Sequence, residues 1–284
     1  MCMLILANSL KRFRVLRRAR CGVYHFPISD YLLYLRHAEY PGPVKSFPAI
    51  LVMSQDNSYV KLQIGARSYY WPSDADWSGL EWIHQEVFMP ASQNLHAYEF
   101  AGARINPGDR VIDAGACAGF FVHYALQRGA TVMAVEPVQS LANALEQTFA
   151  VEVAEGKVKV LPVALGATSG QAKLAMAQER IFESRVASNG IEIQMVALDD
   201  IVGQERVDFI KMDIEGAEMD AIRGGTKTIA RYKPRLAIAV YHEQENAQQV
   251  CQLLRQIRPD YQIRHRGIYA WEGCAPRPFM VYAW

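Results

Sequence analysis

From residue 110 onward, short apolar runs alternate with longer stretches of helical spacing. The apolar runs are "RVIDA", "TVMAV", "VKVLPVAL", "EIQMVAL", "VDFIKMD", "RLAIAVY", "YQIRHR" and "FMVYAW". Between several of them lie "LANALEQTFA", "AEMDAIRGGTKTIARY" and "NAQQVCQLLRQI", where apolar residues recur at intervals of three and four. This alternation predicts strand–helix–strand crossovers, hence an α/β fold with a mostly parallel, twisted sheet and helices on both faces. The last two runs have no helix between them and are expected to pair as an antiparallel hairpin at the C-terminal edge. Residues 40–80 read differently. They carry Pro and Gly punctuation ("YPGPVKSFP") and β-like pieces ("SYVKLQI", "RSYYW"), as in a small sheet or hairpin. The expected division is a small extension over 1–80, led by a basic helix, and a main domain over 81–284.

Open sheets of this kind bind ligands beyond the carboxyl ends of their strands. The positions that matter are therefore Asp113 to Gly119, Glu136, Ala164 to Gly166, Asp213 to Glu218 and Tyr241 to Glu243. The stretch "VIDAGACAGF" ends a buried strand on a carboxylate and then places two glycines four residues apart. A dinucleotide fingerprint would need glycine where Cys117 and Phe120 stand, so that pattern fails. A phosphate-binding loop needs Gly-Lys at its end, and here Gly119 is followed by Phe120. What remains is D-x-G-x-x-x-G, formed by Asp113, Gly115 and Gly119. It resembles the first motif of class I S-adenosylmethionine-dependent methyltransferases. That cofactor carries a sulfonium and an ammonium, which suit a nearby carboxylate better than a pyrophosphate would. Glu136 closes the next strand, about twenty residues on, where an acid accepts hydrogen bonds from ribose hydroxyls.

The stretch "VDFIKMDIEGAEMDAIRGG" (207–225), with "VIDAGACAGFF", "EPV", "VALDDI" and "RLAIAVYHEQENA", resembles the FkbM family of methyltransferases from about residue 81 onward. The resemblance implies a class I Rossmann-like fold, S-adenosyl-L-methionine as cofactor, and methylation of a hydroxyl on a sugar, glycolipid or natural-product small molecule. Asp113, Gly115 and Gly119 would hold the methionine end and Glu136 the ribose. Backbone at Ala164 and Leu165 would line the adenine, with Ala116, Phe120 and Pro137 as further cofactor-binding positions. Asp213 would position the acceptor hydroxyl, or a cation beside it, and His242 would take the proton, since imidazole titrates near neutrality. For a divalent metal such as Mg²⁺ the candidates are Asp213 and Glu243, unless Lys211 pairs with these carboxylates instead. Glu215 and Glu218 stand three apart at a helix start. They either face the reacting groups or compensate the helix dipole.

Composition narrows the alternatives. Formal net charge is +1 and charged residues make up 21%, which gives no field for nucleic acid. The place where amino-methylating enzymes carry [DN]-P-P-[YF] reads "DIEG", and no cysteine follows a proline. "HEQEN" lacks the second histidine of a zinc-protease motif, Asn246 standing there instead. An NAD-dependent oxidoreductase is disfavoured by the glycine spacing. A non-catalytic scaffold is disfavoured by the joint presence of Asp113, Glu136 and Asp213. The five cysteines are scattered, with no C-x-x-C, and no apolar run reaches the ~18 residues of a membrane span. With an N-terminus whose apolar part precedes its basic part, this predicts a cytoplasmic protein. "KRFRVLRRAR" holds six basic residues before the first acid at Asp30. It is either a solvated helix or an arm for a membrane surface or anionic partner. The Tyr- and Trp-rich extension is expected either to cap the cleft or to form a homodimer interface.

Overall fold

The computed structural model describes residues 12–20, 22–36, 47–177, 180–270 and 275–284. Most of "YPGPVKSFP", together with Lys11 of the basic stretch, lies outside them. Two helices, α1 (residues 12–20) and α2 (Ile28–Arg36), precede an antiparallel sheet of β1 (Ile50–Gln55), β2 (Tyr59–Ile64) and β3 (Arg67–Pro72). In β2 alternate residues Val60, Leu62 and Ile64 are buried, the period-two pattern of a strand with one face on the core. Helix α3 (Leu80–Phe88) leads into the main sheet.

The alternating part follows in this order. Strand β4 (Arg110–Ala114) is followed by α4 (Phe120–Gln127), β5 (Thr131–Val135), α5 (Gln139–Thr148), α6 (Ala150–Ala154) and β6 (Val158–Leu161). A second small sheet is built from β7 (Ala164–Gly166), β8 (Gly170–Ala175), β9 (Arg185–Ala187) and β10 (Ile191–Ala197). After α7 (Leu198–Val202) come β11 (Phe209–Met212), α8 (Glu218–Gly224), α9 (Thr226–Tyr232), β12 (Arg235–Ala239), α10 (Asn246–Ile257), β13 (Ile263–Arg266) and β14 (Met280–Ala283).

The main sheet has seven strands in the order β13-β14-β12-β11-β4-β5-β6. Strands β6, β5, β4, β11 and β12 pair in parallel, as the pattern predicts, and β14 runs antiparallel to both its neighbours. The hairpin lies at the expected edge, but its second strand is inserted between β12 and β13. The run "VKVLPVAL" is not one strand. It breaks at Pro162, which has no N–H for a ladder, and β7 leaves for the second sheet. "EIQMVAL" likewise belongs to that sheet, as β10.

Successive side chains of the central strands point to opposite faces. Val111 and Phe209 enter one core, with α4, α5 and the N-terminal sheet; Ile112 and Ile210 enter the other, with α8, α9 and α10. Leu62, Tyr69 and Trp71 of the extension are buried in the same core as Phe120 and Phe149. Strand order reverses between β4 and β11, so their carboxyl ends open side by side onto a crevice.

Candidate active site

A cavity of about 320 Å³ lies beyond the ends of β4, β5 and β11. Its floor is the turn from Ala114 to α4. Gly115 (φ +78°) and Gly119 (φ +79°) are both in the left-handed region that favours glycine. A Cβ at Gly115 would overlap the carbonyl oxygen of Asp213 at the end of β11. A Cβ at Gly119 would lie 2.5 Å from the Phe149 ring and 2.7 Å from Leu145. The first glycine thus lets two strand ends meet, and the second seats α4 against α5. Gly115, Ala116 and Phe120 line the cavity; Gly119 packs behind it.

Glu136 stands beside this turn, 5% exposed, with Pro137 next to it on the cavity wall. Its Oε2 accepts the Cys117 N–H and its Oε1 the Val138 N–H, each at 2.9 Å. Burial pushes the carboxyl up to about 7 despite these two donors. Cys117, itself at φ +48°, was not foreseen; its N–H fixes the carboxylate in place. Ala164 and Leu165 line the wall beyond β6, as expected, although from a strand and not a loop.

Asp113 requires a correction. It is fully buried, and its Oδ1 lies 3.0 Å from Lys211 Nζ. The ammonium donates its hydrogen bonds to the carbonyls of Gly115 (2.7 Å) and Ala114 (3.2 Å). Burial disfavours the charged amine, but Asp113 and Asp213 outweigh it and hold Lys211 protonated. Lys211 reaches the cavity wall and Asp113 does not. The motif's carboxylate therefore braces the turn through Lys211 and is not presented to a ligand.

Just past the end of β11, Asp213 carries two separate environments. Its Oδ2 accepts from the Tyr98 hydroxyl at 2.7 Å and lies 3.6 Å from His96 Nε2. Its Oδ1 is 3.6 Å from His242 Nε2. Burial would raise its pKa, but His96, His242 and Lys211 outweigh that and lower it. Glu215, at φ +56°, brings its Oε2 to 3.4 Å from the same His242 Nε2. Glu218 is buried completely. Its Oε1 accepts from Ile214 N at 3.0 Å and Gly216 N at 3.4 Å and lies 3.2 Å from His242 Nδ1; its Oε2 accepts from Asn246 Nδ2 at 3.3 Å. Glu218 therefore ties the loop before α8 to His242, beyond the expected dipole role.

These neighbours change the reading of His242. Burial pulls its pKa down, but Glu215, Glu218 and Asp213 overcome this and raise it well above the ordinary value. Ringed by three carboxylates, the ring is biased toward its protonated form, which makes it a poor proton acceptor. Glu243 is also corrected: it is exposed, and the acids that approach His242 are Asp213, Glu215 and Glu218. Sequence reasoning missed Glu86, His96 and Tyr98. They come from the segment before β4, where no periodic signal marks them.

The family model for the methyltransferase FkbM domain matches residues 113–263. The chain belongs to the FkbM methyltransferase family. Among solved structures, the methyltransferase FkbM from Methylobacillus flagellatus KT is similar with a TM-score of 0.52 at 22% identity, over 71% of this chain and 48% of that one. This chain thus spans about half the length of that relative. The likeness supports the fold, a large and mostly parallel Rossmann-like sheet. A putative rRNA-methylase from Clostridium thermocellum (TM-score 0.41, 10% identity, 63% and 87% covered) is more distant. So is a SAM-dependent O-methyltransferase from Thermotoga maritima (TM-score 0.37, 15% identity, 64% and 60% covered). No protein of curated function matches the sequence. Among the described residues of this FkbM-type methyltransferase, no helix is long and apolar enough to cross a membrane.

Proposed function

We propose that this chain transfers a methyl group from S-adenosyl-L-methionine to a hydroxyl oxygen of a small molecule such as a sugar, glycolipid or natural-product scaffold. The observation that carries this is Glu136. Its carboxylate is pinned by two backbone N–H groups at the cavity wall, beside a glycine turn that lacks the spacing for a pyrophosphate. Each oxygen keeps a lone pair for one ribose hydroxyl. Gly115, Ala116 and Phe120 would receive the methionine end, and Ala164 and Leu165 the adenine.

The cofactor supplies a carbon already activated for displacement, so the protein's part is alignment and exclusion of water. Asp213 and Glu215 line the cavity away from the ribose site and would hold the acceptor hydroxyl. The carboxylates there are better suited to take its proton than His242, whose ring three carboxylates bias toward the protonated form. Calorimetry with S-adenosylmethionine, its demethylated product and NAD tests this reading. Binding of the first two and not NAD is expected, with Glu136→Ala weaker by ~1–3 kcal/mol. Binding of NAD alone would overturn it.

A further inference from the structure

We infer that Asp213 Oδ1, Glu215 Oε2 and His242 Nε2 form a binding site for one divalent first-row metal ion. The argument begins with three buried atoms. Asp213 Oδ1 and both ring nitrogens of His242 have no hydrogen-bond partner, whereas Asp213 Oδ2 is satisfied by Tyr98. Asp213 Oδ1 and His242 Nε2 face one another at 3.6 Å, and Glu215 Oε2 completes the group at 3.4 Å from the same nitrogen. All three atoms lie within 4.8 Å of one another.

Those separations are long for charge-assisted hydrogen bonds, which run at about 2.7–2.9 Å. They suit atoms arranged around a common point. With metal–ligand bonds of about 2.1 Å, neighbouring ligand atoms stand ~3.0 Å apart in an octahedron and ~3.4 Å apart in a tetrahedron. Small side-chain adjustments bring this trio into either range. The surroundings match as well. His242 Nδ1 lies 3.2 Å from Glu218 Oε1, so a small turn of the ring forms the carboxylate–histidine bond that orients a metal-bound imidazole. Glu218 is in turn fixed by Ile214, Gly216 and Asn246. Asp213 and Glu215 line the cavity, so the remaining coordination positions face it.

One imidazole and two carboxylates form a borderline donor set that suits Mn²⁺, Fe²⁺ or Zn²⁺ better than Ca²⁺. The ion would set a positive charge among the Asp213, Glu215 and Glu218 carboxylates. The other candidate trio, Glu86, His96 and Asp213, uses a completely buried His96 and the Asp213 carboxylate already engaged by Tyr98. It is the weaker site. The metal site rests on this geometry alone; a role in holding the acceptor hydroxyl rests on the methyl-transfer reading above.

The test is Mn²⁺ binding followed by electron paramagnetic resonance on the full chain after chelator treatment, with Mg²⁺ present to suppress weak surface sites. One saturable Mn²⁺ per chain is expected. Glu215→Gln and His242→Gln should each weaken it about 100-fold or more, and Glu243→Gln should leave it unchanged. Thermal melts establish that each variant folds; Glu215 is partly exposed, so Glu215→Gln decides if His242→Gln does not fold. Absence of saturable binding by the wild type, or equal binding by folded Glu215→Gln, would overturn the site. S-adenosylmethionine binding is measured on the same samples without Mn²⁺. Loss of one signal with retention of the other separates failure of the metal site from failure of the methyl-donor reading.

Discussion

Lys211 and Asp113 are register partners on adjacent parallel strands, and their side chains close a buried ion pair at 3.0 Å directly beneath the glycine turn. The pair ties the end of β11 to the end of β4 at the point where strand order reverses. Removing one partner strands the other charge in the interior. Lys211→Met is expected to cost ~3–5 kcal/mol, and Asp113→Leu a similar amount. The double variant should lose clearly less than the sum, because neither charge is then left alone. Urea unfolding of the four proteins checks this; strict additivity would mean the pair is not coupled.

Glu136 makes stability fall as pH rises. Its carboxyl titrates at about 7 in the fold, against 4.5 ordinarily. Below about pH 4.5 the group is protonated folded and unfolded alike. Between 4.5 and 7 only the unfolded chain ionises, so the folded state loses ground, and above 7 the penalty is constant. Ligand-free Glu136→Gln should therefore gain on the wild type by ~1–3 kcal/mol across that window. The measurement is unfolding free energy at a series of pH values. A difference that does not change with pH would show that burial does not perturb this carboxyl.

Two glycines with similar backbone angles should respond very differently to alanine. Gly108 (φ +84°) has nothing within 4 Å of an added Cβ, so Gly108→Ala carries only conformational strain of ~1 kcal/mol. Gly115 (φ +78°) has the Asp213 carbonyl in that position. Gly115→Ala must part β4 from β11 and should cost ~3 kcal/mol or more, with loss of methyl-donor binding. Equal melting temperatures for the two variants would contradict the close approach.

His242 is expected to separate binding from turnover. It lies behind Asp213 and Glu215 and does not line the cavity. His242→Ala should leave S-adenosylmethionine affinity nearly unchanged while lowering kcat by ~100-fold, because the two carboxylates lose the group that positions them. Calorimetry and initial rates on one preparation test this. A variant that turns over normally and merely melts earlier would make His242 a structural residue.

The sheet, and the glycine turn with Glu136 beside the cavity, were legible because both follow from short-range pattern. Apolar runs alternate with helical spacing, and Glu136 closes the run after the glycine turn. What was hidden depends on which way a side chain points. His242 and Glu243 are neighbours past the end of β12, yet one turns inward to three carboxylates and the other faces solvent; adjacency in sequence cannot separate them. Lys211 was expected to pair with the site carboxylates, but only register shows that its partner is Asp113, not Asp213 or Glu243. Glu86, His96 and Tyr98 precede the alternating region altogether. Tertiary packing alone brings them to Asp213. Pro162 was visible, but its effect, the diversion of β7 into a second sheet, was not drawn from it.

The buried aromatic residues of β3 bear on how this chain can be trimmed. The family match begins at Asp113, inside β4, so a fragment cut to that boundary would start partway along a central strand. It would lack Tyr69 and Trp71, which share a core with Phe120 and Phe149, and would lose Glu86 and Tyr98 from the cavity wall. The matched segment is therefore smaller than the folding unit. Any chimera built on it has to carry the N-terminal sheet and α3 along with α4 and α5, on which they pack.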